Sequence, residues 1–182
     1  MTMPPRLRQA ALIAHVTSSV GWLGAVVAFL ALAVIGMTSR DPATVRGAYL
    51  VMEPAAWYVL VPLSFAALLT GLVQSLGTSW GLVRHYWVLF KLLINVVATG
   101  VLLIYTGTFR SMAHRAADPG AELASVRNFS PVLHSLLALA VLLAAMVLAV
   151  YKPRGVTPYG QRRRQAERES RGTPGALSVS RT

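Results

Sequence analysis

Four stretches of this chain are long and apolar enough to cross a bilayer, and they leave it little freedom of fold. Residues 10–37 contain no Asp, Glu, Lys or Arg, and neither do residues 55–76 or 131–151. Residues 85–109 contain one such residue, Lys91. A spanning helix needs about 20 consecutive apolar residues. The expected fold is all-α: a polytopic membrane protein whose residues 1–155 form an antiparallel four-transmembrane-helix bundle.

The first run follows a short basic segment with Arg6 and Arg8, which resembles the start of a signal peptide. It is far longer than the roughly 7–15 residues of a signal core, and no small-residue cleavage site followed by a polar mature chain appears. It reads as a retained first span. Asp41-Pro42 is a helix start, with Asp as cap and Pro in the first turn. Residues 43–52 therefore read as a short interfacial helix, ended by Glu53-Pro54. Pro62 should kink the second span, because it removes a backbone donor. Residues 77–84 form a tight connection. Trp80, Tyr86 and Trp87 fit an aromatic belt at the membrane surface. Residues 110–129 read as a polar loop with a turn at Asp118-Pro119-Gly120. Ser130-Pro131 starts the last span.

Charge bears on partners and on topology. Only 13% of residues are charged, against about 25% in soluble domains, so the lipid bilayer is the first partner expected. The net charge of +11 would suggest nucleic acid in a soluble chain. Here eight of the 17 basic residues lie beyond Tyr151, so no nucleic acid is expected. Residues 156–182 read as a disordered, basic cytoplasmic tail. Within it, Arg162-Arg163-Arg164 could bind anionic headgroups or simply anchor the topology. With both termini inside, nine basic residues (Arg6, Arg8, Arg84, Lys152, Arg154, Arg162, Arg163, Arg164, Arg168) lie on the inner side. Five (Arg40, Arg46, Arg110, Arg115, Arg127) lie outside, which favours an N-in/C-in arrangement. Only two of the 17 basic residues are lysine. With abundant Ala, Gly and Val, this points to a GC-rich bacterium and so to its inner membrane.

Several chemistries are excluded. There is no cysteine, hence no disulfide, zinc thiolate, iron–sulfur cluster or c-type haem attachment. No nucleophile triad, phosphate loop or dinucleotide fingerprint is present, and no catalytic residue is assigned. Carboxylates are absent from the spans apart from Glu53 at an edge, which argues against a carboxylate proton relay.

Lys91 is then the residue that needs explaining. A lysine near the centre of a spanning helix costs roughly 2.5–3.5 kcal/mol on insertion scales, and such a residue is a functional-site candidate. His15 lies five residues past Ala10, and Lys91 lies five past Tyr86. Both helices enter from the same side, so both groups sit roughly 7–8 Å deep at 1.5 Å per residue. They are expected to face each other. His15, Ser19 and Trp22 share one helix face. Gly21, Gly24, Ala25 and Ala28 allow close helix approach, either around a flat cofactor against Trp22 or in a homo- or hetero-oligomer. His85 is a conceivable second axial partner for His15, though about 9 Å shallower. The plain alternatives are an interhelical hydrogen bond for His15, snorkelling for Lys91, an interfacial place for His85, and helix packing for His134. Met37, Met52, Met112 and His114 fall on the outer side. Methionine suits Cu(I), but packing explains these residues as well.

His15-x6-Trp22-x-Gly24 in span one, with Trp87-x3-Lys91-Leu92 in span three, resembles a bacterial inner-membrane superfamily. It includes the copper resistance D proteins, the membrane-bound haem-containing protoporphyrinogen oxidases, and uncharacterised four-helix membrane proteins. The likeness is strongest to the uncharacterised group, through segments such as TGLVQSLGTSWGLVRHYWVLFK and YKPRGVTPYG, and covers roughly residues 8–160. In the oxidases the first-helix histidine and third-helix lysine are the functional pair, which the resemblance carries to His15 and Lys91. The copper branch implies metal passage.

Three functions stay open. One is a redox protein associated with haem b or a quinone. There His15 would be the axial metal ligand, Lys91 would pair with a propionate or quinone oxygen, and Trp22 and Trp87 would line the pocket. The second is a copper or small-solute transport component. The third is a non-catalytic membrane subunit.

Overall fold

The computed structural model describes residues 3–77, 82–83, 85–151, 155–162, 165 and 169. Its elements run α1 (Pro5–Thr38), α2 (Pro42–Ala55), a π-helical turn (Ala56–Leu60), α3 (Val61–Gly77), α4 (Tyr86–Ala117), a short α5 (Leu123–Val126) and α6 (Ser130–Tyr151). Among the described residues, four helical stretches are long and apolar enough to cross a membrane: Pro5–Thr38, Pro42–Gly77, Tyr86–Ala117 and Leu123–Tyr151. The chain is a multi-pass helical membrane protein.

The helices overrun their apolar runs. α1 has 34 residues and α4 has 32, so each is about 50 Å long against a hydrocarbon core of about 30 Å. Hydropathy marks where lipid begins, whereas the hydrogen-bond ladder continues wherever a face can pack. In α4 the extension beyond residue 109 buries Met112, Ala113 and Ala116 at helical spacing. The expected loop of 110–129 therefore shrinks. Its Asp118 turn survives, with Gly120 N donating to Asp118 Oδ1 at 2.9 Å.

Proline misled the reading of residues 42–77. Asp41 caps as expected, accepting from Thr44 N at 2.9 Å. Pro54 does not end the helix. α2, the π turn and α3 form one continuous rod, in which Val61 N donates five residues back to Ala56 O. A proline ring clashes with the carbonyl four residues before it, which for Pro62 is that of Tyr58. Opening the preceding turn by one residue relieves that crowding. The supposed interfacial helix is therefore the first half of the second span.

The apolar core gathers at the end of the bundle that holds the α1–α2 and α4–α6 connections, here the loop end. Trp22, Val26, Phe29 and Ala33 of α1 meet Val45, Tyr49 and Met52 of α2 and Phe109, Met112 and Ala116 of α4. Gly36 lets the Tyr49 ring lie against α1, since a Cβ there would stand 2.9 Å from Tyr49 Cζ. The Tyr49 hydroxyl donates to Asn128 O at 3.2 Å and accepts from Asn128 N at 2.9 Å. Two arginines close helix ends. Arg46 donates to the carbonyls of Ala116, Asp118 and Ala121 at 3.0, 2.6 and 2.6 Å. Arg127 donates to those of Met37 and Ser39.

At the opposite, terminal end, the chain after α6 returns to the α3–α4 connection. His85 pairs with Val156 in an antiparallel bridge. Tyr86 N donates to Gly155 O at 3.4 Å, and Thr157 Oγ1 donates to Val83 O at 2.6 Å. Residues 158–162 are helical. The expectation of a disordered tail from residue 156 thus does not hold for residues 156–162, because backbone and hydroxyl groups there have partners on the connection. Trp80, Gly81, Arg84, Lys152, Arg154, Arg163, Arg164 and Arg168 lie outside the described residues.

Candidate functional site

The inward stripe of α1 begins at the terminal end with His15, Ser18 and Trp22, all buried. Ser18 takes the place expected for Ser19, which is only half-buried. A 3.6-residue period admits either i+3 or i+4, and the position of α3 decides. α3 runs antiparallel to α1 and sets Thr70 and Gly71 beside the imidazole. His15 Nδ1 lies 3.1 Å from Thr70 Oγ1. Gly71 gives the ring its room, since a Cβ there would stand 3.1 Å from His15 Cε1. α4 supplies Lys91, whose Nζ is 3.0 Å from His15 Nε2. His15 and Lys91, expected to face each other, are in direct contact.

With Lys91 charged, the protons in this chain of groups have one consistent direction. An ammonium can only donate, so Lys91 Nζ then donates to Nε2, 3.0 Å away. The imidazole proton in that state is on Nδ1, facing Thr70 Oγ1. The Thr70 hydroxyl donates in turn to Ala66 O, 2.5 Å away. Ser18 donates to Ala14 O at 2.8 Å and sits 3.4 Å from Thr70 Oγ1. His15 therefore has both ring nitrogens engaged. Lys91 is half-buried, and its bond to His15 uses one of three N–H groups. Among the described residues no carboxylate pairs with it: Asp41, Glu53, Asp118 and Glu122 lie at the loop end, and Glu169 is exposed in the C-terminal segment.

The other expected members are spread along the bundle. Trp87 is half-buried one turn before Lys91, its ring 6.5 Å from that of His85. His85 is buried in the terminal-end bridge. Trp22 belongs to the apolar core, about 10 Å along α1 from His15. The small residues expected around a flat cofactor do not frame one slot: Gly21 faces Leu63, while Gly24 has nothing nearby. His134 packs between helices, its ring stacked on Tyr105 at 4.1 Å and its Nδ1 2.9 Å from Ser130 O. Met52 and Met112 are core residues, Met37 is half-buried, and His114 is exposed. Among the described residues, no group of three or more His, Asp or Glu side chains could hold a metal ion.

Thr70 and Gly71 escaped the sequence reading, although a signal was there. Thr70 lies six residues from the end of its apolar run at 76, close to the depth of His15 and Lys91.

A haem iron needs an imidazole nitrogen with a free lone pair. Nδ1 donates to Thr70, and the Nε2 lone pair is taken by Lys91, so the residues as arranged do not fit an axial haem ligand. A ligand that presents a carbonyl or carboxylate oxygen to Lys91 needs no such displacement. In comparison with known proteins, no family model matches the chain, and neither a curated protein nor a solved structure does.

Proposed function

We propose that this chain is an inner-membrane protein of a bacterium, with both termini in the cytoplasm, that binds a lipid-soluble quinone at the His15–Lys91 pair and serves in redox chemistry there. The observation that carries the reading is Lys91: an amine inside an apolar helix, held by His15, with N–H groups to spare and no carboxylate partner among the described residues. A cation taken out of water needs acceptors, or its desolvation is uncompensated. A quinone carbonyl supplies one. The pair is also the functional one in the oxidases that the sequence spacing resembles.

A bound quinone would supply electron transfer coupled to proton uptake. The chain's residues do the rest. Lys91 Nζ donates to a carbonyl oxygen and stabilises negative charge that develops on it. His15 Nε2 holds the amine in place. Thr70 fixes the imidazole tautomer through Nδ1, and Gly71 leaves the ring space.

The b-type haem reading is supported by one feature. An imidazole whose Nδ1–H is held by a hydrogen bond presents Nε2 as ligand, the usual arrangement of a metal-bound histidine. It requires Lys91 to swing away, toward a propionate. The methionines give the copper reading no comparable support.

The test is purification in native lipid discs, with solvent extraction of quinone and a reduced-minus-oxidised absorption spectrum. Near-stoichiometric quinone, lost in Lys91→Met, is the expected result. A Soret band lost in His15→Ala would replace the quinone with haem. Quinone no richer than in the surrounding membrane, with a flat spectrum, would overturn both.

A further inference from the structure

The face of α4 that carries Lys91 continues as Asn95 and Thr99, at i, i+4 and i+8, so the three residues lie in one row. Asn95 Nδ2 donates to Lys91 O at 2.9 Å. Thr99 is 4% exposed, and among the described residues its Oγ1 is a buried side-chain polar atom with no hydrogen-bond partner. Other hydroxyls in these helices bond back along their own helix: Thr38 to Val34 O, Thr70 to Ala66 O and Thr106 to Leu103 O. Thr99 does not, although the same option is open to it. A buried hydroxyl without a partner destabilises the fold, and an exception of this kind calls for an explanation.

We infer that Thr99 is a ligand-binding residue of the Lys91 site, and that it hydrogen-bonds the far end of a two-carbonyl headgroup whose near end meets Lys91. This deepens the quinone reading and rests on it. Lys91 Nζ, at the end of a long flexible side chain, reaches the near carbonyl, and Thr99 Oγ1, about two turns further along α4, reaches the far one. Two donors in one row suit a ring with para carbonyls, which accepts a hydrogen bond at each end, better than a ligand with a single polar end. The row also lays the ring along α4, with Asn95 between the two anchors.

The test titrates the protein in lipid discs with menadione and, separately, with its mono-carbonyl analogue 2-methyl-1-tetralone, following quenching of tryptophan fluorescence. The variants are Thr99→Val, Thr99→Ser and Lys91→Met. Thr99→Val should weaken menadione about tenfold, the worth of one buried hydrogen bond. Thr99→Ser should stay within about twofold of wild type, and Lys91→Met should abolish binding. The tetralone should bind wild type and Thr99→Val alike, because it has no second carbonyl to lose. The thermal midpoint of ligand-free Thr99→Val should equal or exceed that of wild type, which separates a binding role from a packing one. Unchanged menadione affinity in Thr99→Val, with binding lost in Lys91→Met, would overturn this inference and leave the quinone reading standing. Unchanged affinity in Lys91→Met would overturn both. A lowered midpoint with unchanged affinity would make Thr99 a packing residue.

Discussion

At the loop end, α1 turns Trp22, Val26, Phe29, Ala33 and Gly36 inward, and α4 answers with Phe109, Met112, Ala113 and Ala116. At the terminal end the same two stripes carry His15 and Ser18 on α1, and Lys91, Asn95 and Thr99 on α4. The burial of α3 follows the same division. Val61, Ser64 and Ala67 are buried, while residues 70–77 are half-buried or exposed. Helix association in lipid relies on close packing and on interhelical hydrogen bonds. The loop end uses both, with edge-on ring pairs (Phe29–Phe109 at 5.3 Å, Tyr105–Phe109 at 4.9 Å) and arginines on helix-end carbonyls. The terminal end holds polar groups whose capacity is only partly used. One helix can therefore be scaffold along half its length and site along the other half. Damage to each half should show in a different measurement.

The largest effect should come from the scaffold half. Tyr49 is fully buried and bonded at both Asn128 atoms. Tyr49→Ala should cost about 3 kcal/mol or more in an unfolding titration in mixed micelles. Whatever protein remains folded should keep its quinone affinity. Coupled loss of both would break the division.

A subtler change sharpens it from the other side. Gly71→Ala puts a methyl group against His15 Cε1, where only 3.1 Å is available. The ring must shift by a few tenths of an ångström, loosening its bonds to Lys91 and Thr70. Quinone affinity should fall about fivefold to tenfold, with a stability change of about 1 kcal/mol or less. Gly47→Ala, with open space at its Cβ position, is the matched control and should leave affinity unchanged.

The smallest effect concerns pH. At the loop end, the Thr44 hydroxyl and the amides of Thr44 and Ala43 hold the Asp41 carboxyl below its ordinary value of 3.8. A carboxyl whose pKa is depressed by folding contributes stability above its unfolded value and loses it as pH falls through its folded one. Below about pH 4 the first turn of α2 should loosen slightly, visible as faster amide exchange at Ala43 and Thr44. In Asp41→Asn this pH dependence should vanish, with no change at the His15–Lys91 site.

Much of this was legible in the sequence because lipid imposes simple rules. Runs of about 20 apolar residues gave the four spans. Asp41-Pro42 and Ser130-Pro131 marked real helix starts, since cap chemistry is local. Matched depth placed His15 against Lys91, because parallel helices that enter together advance together. The failures arose where a local rule met a tertiary context. Pro54 reads as a stop, yet a π turn downstream lets the rod continue. Residues 110–117 read as loop because they are polar, yet one face of them packs. Ser18 displaced Ser19 because helical periodicity leaves one residue of slack and only the neighbouring helix removes it. Thr99 carries no sequence signal, since a threonine in a membrane helix ordinarily bonds its own backbone.

The central claim is that the polar half of the bundle, and not the packed half, receives the ligand. Photolabelling with an azidoquinone in lipid discs, followed by mass spectrometry of the peptides, tests this most directly. The account predicts adducts concentrated within residues 11–19, 66–75 and 87–99, and suppressed by excess menadione and by Lys91→Met. Adducts spread evenly over lipid-facing residues, or concentrated around Tyr49 and Phe109 and indifferent to Lys91, would contradict it.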